Sequence, residues 1–224
     1  MIVEELETCA GREHMQVMDQ SRAAAQLVAS IAALYRRDAA EQGLACLARA
    51  ADHLDRLSPL NVSLPPATTL PVRRYLDRAL LLARSGALAG VSDGIAEVAP
   101  LCCWRQNQNY VRDPAMANFL PHYGYAEFVG KDAFYASNAL LCGVMLLGPG
   151  TTYPRHSHPA EEVYHVLSAN AEWQRGDAPW RTVAQAAAIH HPPDLAHATR
   201  TGDEPLLALY CWLGDVGVAA TLSA

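Results

Sequence analysis

Four side chains in the second half of the chain have the types and the spacing to share one ion: His156, His158, Glu162 and His197. His156 and His158 stand one residue apart, so on an extended strand both imidazoles project from the same face. Glu162 follows after three residues and offers a carboxylate oxygen, while His197 arrives from a later stretch, residues 190–203, that reads HHPPDLAHATRTGD. Three neutral imidazoles and one carboxylate suit a divalent transition metal (Zn, Fe, Mn, Co or Ni), whereas Ca²⁺ and Mg²⁺ prefer shells of oxygen. An isolated HxH describes two ordinary surface histidines equally well. The Glu162 spacing and the distant PxxxH favour an ion. Alternation along the strand after Glu162 puts Tyr164 on the ligand side and Val163 and His165 on the other.

These residues resemble the two motifs of the cupin superfamily. Gly150, His156, His158 and Glu162 match the first (Gly, five residues, HxH, three residues, Glu) without a gap, and Pro193 and His197 match the second. Two glycines of the pattern are replaced. Ala169 stands after six intervening residues beyond Glu162, and a second motif counted from Pro193 puts Leu195 at its glycine, so the turns there are expected to differ in shape. The resemblance implies a double-stranded β-barrel, jelly-roll-like, over residues 100–224, with the metal inside its mouth; the helical segment ahead of it, residues 1–99, has amphipathic faces to bury and is expected to pack on the barrel or on a partner subunit.

A narrower likeness lies in YPRHSHPAEEVYHVLSA and the closing LYCWLGD, with Tyr153 three residues before His156 and Tyr164 two after Glu162. This is similar to the cupin-type dimethylsulfoniopropionate lyases, which also carry helix ahead of the barrel. The likeness implies β-elimination of dimethylsulfoniopropionate to dimethyl sulfide and acrylate, with a metal countering negative charge as a base removes the proton next to the carboxylate. Tyr164 is the first candidate base and Tyr153 the second; a tyrosine titrates near 10, so an adjacent cation must favour the phenolate. Tyr210 and Trp212 share a face of the last long strand and can receive the sulfonium through cation–π attraction, although barrel core explains them equally. His190 and His191 read as loop or supporting residues. Two other readings use the same fold: a cupin dioxygenase with the same four ligands, and a non-catalytic cupin that binds a small molecule.

The elements that must position these residues change character near residue 100. Residues 19–57 are rich in Ala and Leu, with charges returning every three or four positions, which predicts two helices with Gly43 as a break or a tolerated interior glycine. A third helix is expected after Pro71, with Leu76, Leu80 and Ala83 on one stripe and Gly86 as its stop. Beyond residue 100, short apolar runs between turn residues predict strands at 139–147, 162–167, 171–174, 180–183, 186–190, 197–201 and 206–212, the spacing of a sandwich or barrel.

The 224 residues are half apolar and carry a net charge of −6 with a pI near 5.8, so nucleic acid is not an expected partner. No basic start with an apolar stretch, and no apolar run of membrane-spanning length, is present in this sequence, which leads to the expectation of a cytoplasmic protein away from membranes. The six cysteines lack CxxC spacing and are expected to be reduced, buried thiols. A small-molecule substrate and a homodimer complete the expectations.

Overall fold

A computed structural model describes residues 2–57, 66–84 and 88–223, with side chains from Asp19 onward. Helix α1 (Ile2–Gln42) ends at Gly43, whose φ of +68° is the left-handed conformation that stops a helix without a steric penalty. Gly43 is therefore a break. Its N–H donates to the Ala39 carbonyl at 3.1 Å, and α2 (Ala45–Asp55) begins two residues on. Leu27, Val28, Ile31, Leu34 and Tyr35 bury one stripe of α1 at helical spacing, and Cys46, Leu47, Ala50 and Leu54 do the same on α2.

The helix expected after Pro71 opens as a 3₁₀ turn (Pro71–Tyr75) and continues as α3 (Leu76–Ala83). The stop expected at Gly86 lies outside the described residues. Two further helices were not foreseen: α4 (Ala89–Val98), which crosses α1 closely where Gly94 meets Leu27, and the short α5 (Gln108–Val111). Glycines at 90 and 94 lower the intrinsic helix propensity of α4, so burial of Val91, Ile95 and Val98 must stabilise it.

The second half is the expected double-stranded β-barrel. One sheet has strand order β2–β1–β3–β10–β5–β8, from β1 (Tyr123–Gly130), β2 (Tyr135–Ala136), β3 (Leu140–Leu147), β5 (Glu161–Val166), β8 (Ala188–His191) and β10 (Leu206–Leu213). The facing sheet has the order β11–β4–β9–β6–β7, from β4 (Thr152–Ser157), β6 (Ala171–Arg175), β7 (Arg181–Val183), β9 (His197–Thr201) and β11 (Thr221–Leu222). Among the described residues, neighbouring strands pair antiparallel except the short β1–β2 contact.

The larger sheet is buried on both faces. Its outward residues, Val144, Leu146, Val163, Leu207 and Leu209, join one core with the helices; its inward residues, Met145, Tyr164, Val166, Ala208 and Tyr210, form a second core with Tyr153 and Trp173 between the sheets. Two-sided burial is why β3 and β10 read as continuous apolar runs, LLCGVMLL and LLALYCWL, and not as alternation. Gly143 in β3 admits no side chain, since a Cβ there would lie 2.2 Å from the Ala126 carbonyl oxygen on β1.

Cys46, Cys102, Cys142 and Cys211 are buried free thiols and Cys103 is half-buried; Cys9 precedes the residues whose side chains are described. Among the described residues, no helix is long and apolar enough to cross a membrane.

Candidate metal centre and substrate cavity

The strands bring the motif residues to one end of the space between the sheets. β4 and β9 pair so that His156 and His197 are direct Cα partners, and β5 and β8 pair Glu162 with His191 from the opposite sheet. The register of β4 slips between Tyr153 and His156. Strict alternation would send these two rings to opposite faces; the bulge sends both inward, where they stack at 4.0 Å.

His158, Glu162 and His197 offer ligand atoms that all lie within 4.8 Å of one another, and all three residues are buried. Nε2 of His158 and Nε2 of His197 each lie 3.1 Å from the same carboxylate oxygen, Oε2 of Glu162. His156 stands beside this trio, edge-on to the His197 ring at 4.2 Å.

The orientation of the imidazoles has a common cause. Nδ1 of His156, His158 and His197 lies 2.8, 2.9 and 2.9 Å from the backbone carbonyl of Pro154, Ala160 and Leu195. A carbonyl only accepts, so Nδ1 carries a proton in each ring, and in the neutral imidazole Nε2 is the nitrogen free to bind an ion. Fixing the tautomer through a backbone oxygen in this way is how proteins present histidine to an ion. Nε2 of His197 is buried without a hydrogen-bond partner.

Burial pushes Glu162 upward, but contacts with His158, His191 and His197 outweigh it and hold the carboxylate well below its usual range. Burial, then the neighbouring His197, pushes His156 well below the usual imidazole value. A carboxylate and imidazole nitrogens thus converge on one buried space, an arrangement that a cation between them stabilises. The residues fit a divalent transition ion.

Counted back from His197, the glycine of PxGxxH falls on Asp194 and its proline on Pro192, one residue before the expected positions, and the turn accommodates the replacement. Leu195 N–H donates to the Pro192 carbonyl at 3.2 Å, and Asp194, the third residue of that turn, takes the left-handed φ of +61°. Asp tolerates this conformation better than most residues, so the Leu195 carbonyl can still meet Nδ1 of His197.

A cavity of about 250 Å³ opens from the centre, with Tyr123, Tyr125, Glu127, Met145, Tyr153 and Tyr164 among its lining residues and with Tyr210 and Trp212 on the β10 side. Trp212 Nε1–H donates to Oε1 of Glu162 at 2.6 Å, and its ring stacks on His158 at 4.0 Å, so it holds two motif residues at once. Tyr210 donates a long hydrogen bond, 3.5 Å, to Glu127. Tyr164 points inward as parity predicts, and its hydroxyl donates to the Met145 thioether at 3.8 Å, a weak acceptor. Burial, then the charge of Glu162, pushes the Tyr164 hydroxyl well above its usual value.

Sequence reasoning read His191 only as a loop or supporting residue and gave Glu127 and Tyr110 no part in the site, yet the fold brings all three to it. His191 stacks on His197 at 3.9 Å with its Nδ1 3.3 Å from Glu162; parity across the β5–β8 pair was the only signal that could have found it. Glu127 enters the cavity from β1, a strand that had not been foreseen. Tyr110 accepts from the Tyr153 hydroxyl at 3.3 Å and comes from the polar stretch before the barrel. Cys46, Glu161 and His190 form another cluster with metal-ligand chemistry, on the outer face of β5, where Arg49 ion-pairs with Glu161 and His190 lies 2.9 Å from it.

The sequence profile of the dimethylsulfoniopropionate lyase family matches residues 19–208. The chain belongs to that family. Among curated relatives of this lyase family, dimethylsulfoniopropionate lyase DddQ of Ruegeria pomeroyi is 30% identical over 200 residues, covering 88% of this chain and 92% of that protein. The putative dimethylsulfoniopropionate lyase DddL of Cereibacter sphaeroides is 35% identical over 151 residues, 67% of this chain and 62% of that protein. The crystal structure of DMSP lyase DddQ from Ruegeria pomeroyi superposes with a TM-score of 0.64 at 28% identity, over 85% of this chain and 96% of that one. A chain from the crystal structures of DMSP lyases RdDddP and RnDddQII has the same fold, with a TM-score of 0.69 at 24% identity, over 92% of this chain and all of the other.

Proposed function

We propose that this lyase-family chain is a metal-dependent carbon–sulfur lyase that cleaves dimethylsulfoniopropionate to dimethyl sulfide and acrylate. The observation that carries the reading is the inner end of the cavity, where the Glu162 carboxylate and Nε2 of His158 and His197 meet beside the buried Tyr164. On this reading His158, Glu162 and His197 hold one divalent transition ion (Zn, Fe, Mn, Co or Ni), and His156, against the His197 ring, is the fourth ligand. The bound ion supplies the positive charge that neutralises the substrate carboxylate and favours the phenolate of Tyr164.

The remaining work falls to the protein. The Tyr164 phenolate takes the proton from the carbon next to the substrate carboxylate; the electron pair becomes the carbon–carbon double bond, the carbon–sulfur bond breaks, and dimethyl sulfide leaves neutral. Tyr153 is already engaged, stacked on His156 and donating to Tyr110, so it orients the centre while Tyr164 acts on substrate. Tyr210 and Trp212 line the wall that receives the sulfonium, where aromatic faces attract a cation by about 0.5–2 kcal/mol. The described helices ahead of the barrel serve as the packing layer for the outer face of its larger sheet.

Purified protein incubated with dimethylsulfoniopropionate is expected to release dimethyl sulfide, to stop with a chelator, and to resume with added divalent metal. Activity under anaerobic conditions with zinc separates this lyase from an oxygen-using cupin. No gas from metal-loaded protein would sink the reading.

Replacing Trp212 by Phe keeps a ring against His158 but removes the bond to Oε1 of Glu162. Loss of such a supporting hydrogen bond is expected to weaken metal binding by about 10–100-fold, read by competition with a chromophoric chelator. Unchanged affinity would mean that Glu162 is held in place without Trp212.

A further inference from the structure

Glu127 is a carboxylate in the cavity wall that the elimination itself does not use. It stands on β1 at one end of a row that crosses the larger sheet: Glu127 pairs with Gly143 on β3, Gly143 with Tyr210 on β10, and Tyr210 with Tyr164 on β5. Residues in such a row share a face of the sheet. Gly143 has no side chain, so nothing from β3 stands between the Glu127 carboxylate and Tyr210. Three strand spacings of about 4.8 Å place the two ends of the row roughly 14 Å apart along the sheet, with side chains reaching inward from both.

The charges in the cavity are arranged unevenly. Its lining includes two carboxylates, Glu162 at the metal-binding end and Glu127 across from it, and no Lys or Arg. Glu162 is answered by the histidines. Glu127 receives one long hydrogen bond, from Tyr210 at 3.5 Å, and the nearby Arg105 lies 3.4 Å from a different carboxylate, Asp132. Burial, opposed by Arg105, raises Glu127 above its ordinary value, so its ionised form lacks part of the hydration it has in water and gains from a cation placed beside it. Tyr125 and Tyr210, edge to face at 6.4 Å, present rings beside it. A weakly satisfied carboxylate among aromatic faces recognises a soft, poorly hydrated cation.

We propose that Glu127 is the anchor for the cationic end of the substrate: its carboxylate pairs with the sulfonium while the substrate carboxylate lies at the metal end, so Glu127 sets the preference for a zwitterion over a neutral-tailed acid of the same shape. The claim rests on the lyase reading for the identity of the substrate. Its geometry makes Glu127 a specificity residue and leaves proton transfer to Tyr164.

The test compares dimethylsulfoniopropionate with 4-methylpentanoate, which replaces the sulfonium by an uncharged carbon of the same outline. In Glu127→Gln, with metal content and melting temperature checked against wild type, KM for dimethylsulfoniopropionate is expected to rise about 10-fold or more, a larger change than in kcat. The inhibition constant of 4-methylpentanoate should stay the same or fall. An unchanged ratio of the two constants overturns the proposal. Should the variant fail to fold, wild-type enzyme still decides: trimethylsulfonium, which has only the cationic end, must compete with substrate, and no competition overturns it. Where wild-type protein releases no dimethyl sulfide, the lyase reading fails on its own. Calorimetric binding of the zwitterion and of its isostere, in both proteins, then judges Glu127 separately.

Discussion

Tyr164→Phe is expected to lower kcat for dimethylsulfoniopropionate by about 10²–10⁴-fold, the usual contribution of a positioned base, while metal content stays at the wild-type level. The substitution removes one oxygen from a ring that is buried at 5% exposure between β10 and β8, so shape and packing are preserved. What is lost is the hydroxyl, whose hydrogen bond to Met145 is weak and whose release costs the fold little. In the protein alone, burial and the Glu162 charge both hold Tyr164 protonated. Turnover at neutral pH therefore demands a cation beside it, and the acid limb of the rate profile should move when one divalent metal is exchanged for another. Full turnover in the Phe variant would assign the base elsewhere. Tyr153→Phe would then be the substitution that carries the loss.

Asp38→Ala should destabilise the fold by about 3–5 kcal/mol, measured by denaturant unfolding, because it leaves a buried partner unpaired. Asp38 on α1 lies 2.9 Å from Nε2 of His165, the outward neighbour of Tyr164 on β5, and both side chains are almost fully buried, at 2% and 0% exposure. Arg37 donates to the other carboxylate oxygen at 2.8 Å. Burial raises the Asp38 carboxyl, yet hydrogen bonds from His165 and Arg37 prevail and hold it below its ordinary value. A depressed carboxyl stabilises the native state above the unfolded value near 3.9 and loses that contribution as pH falls through the folded one. The gap between wild type and Asp38→Ala should accordingly narrow in acid. A gap that is constant down to acid pH would show that the loss is one of packing alone.

Much of the centre was legible because its spacing is dense in chemistry. His156, His158 and Glu162 lie within seven residues, and parity alone turned Tyr164 inward and His165 outward, where α1 meets it. Strands β3 and β5 to β10 read well for the same reason, since each run is bounded by turn residues. What was hidden depends on partners distant in the chain. β1, YGYAEFVG, mixes glycine and glutamate into its pattern, and its pairing with β3 slips between Glu127 and Val129, so neither alternation nor a run marks it. Helix α4 carries two glycines and is stabilised by packing against α1 and α3, which no local pattern reports. Trp212 was read as a wall of the cavity, and its bond to Glu162 follows only from the β10–β5 register that pairs those two residues.

The bulge in β4 turns a structural detail into a rule about chain length. Because the register slips between Tyr153 and His156, the number of residues separating them decides whether the tyrosine ring faces the centre or the surface. Losing or gaining one residue there would rotate Tyr153 away from Tyr110 and His156 without changing any amino acid in the motif. The exposed turn around Gly202 and Asp203, by contrast, can lengthen without altering the parity of any strand. Tolerance of insertions and deletions should therefore fall to nearly nothing over these few residues of β4 and recover at the turns on either side of the barrel.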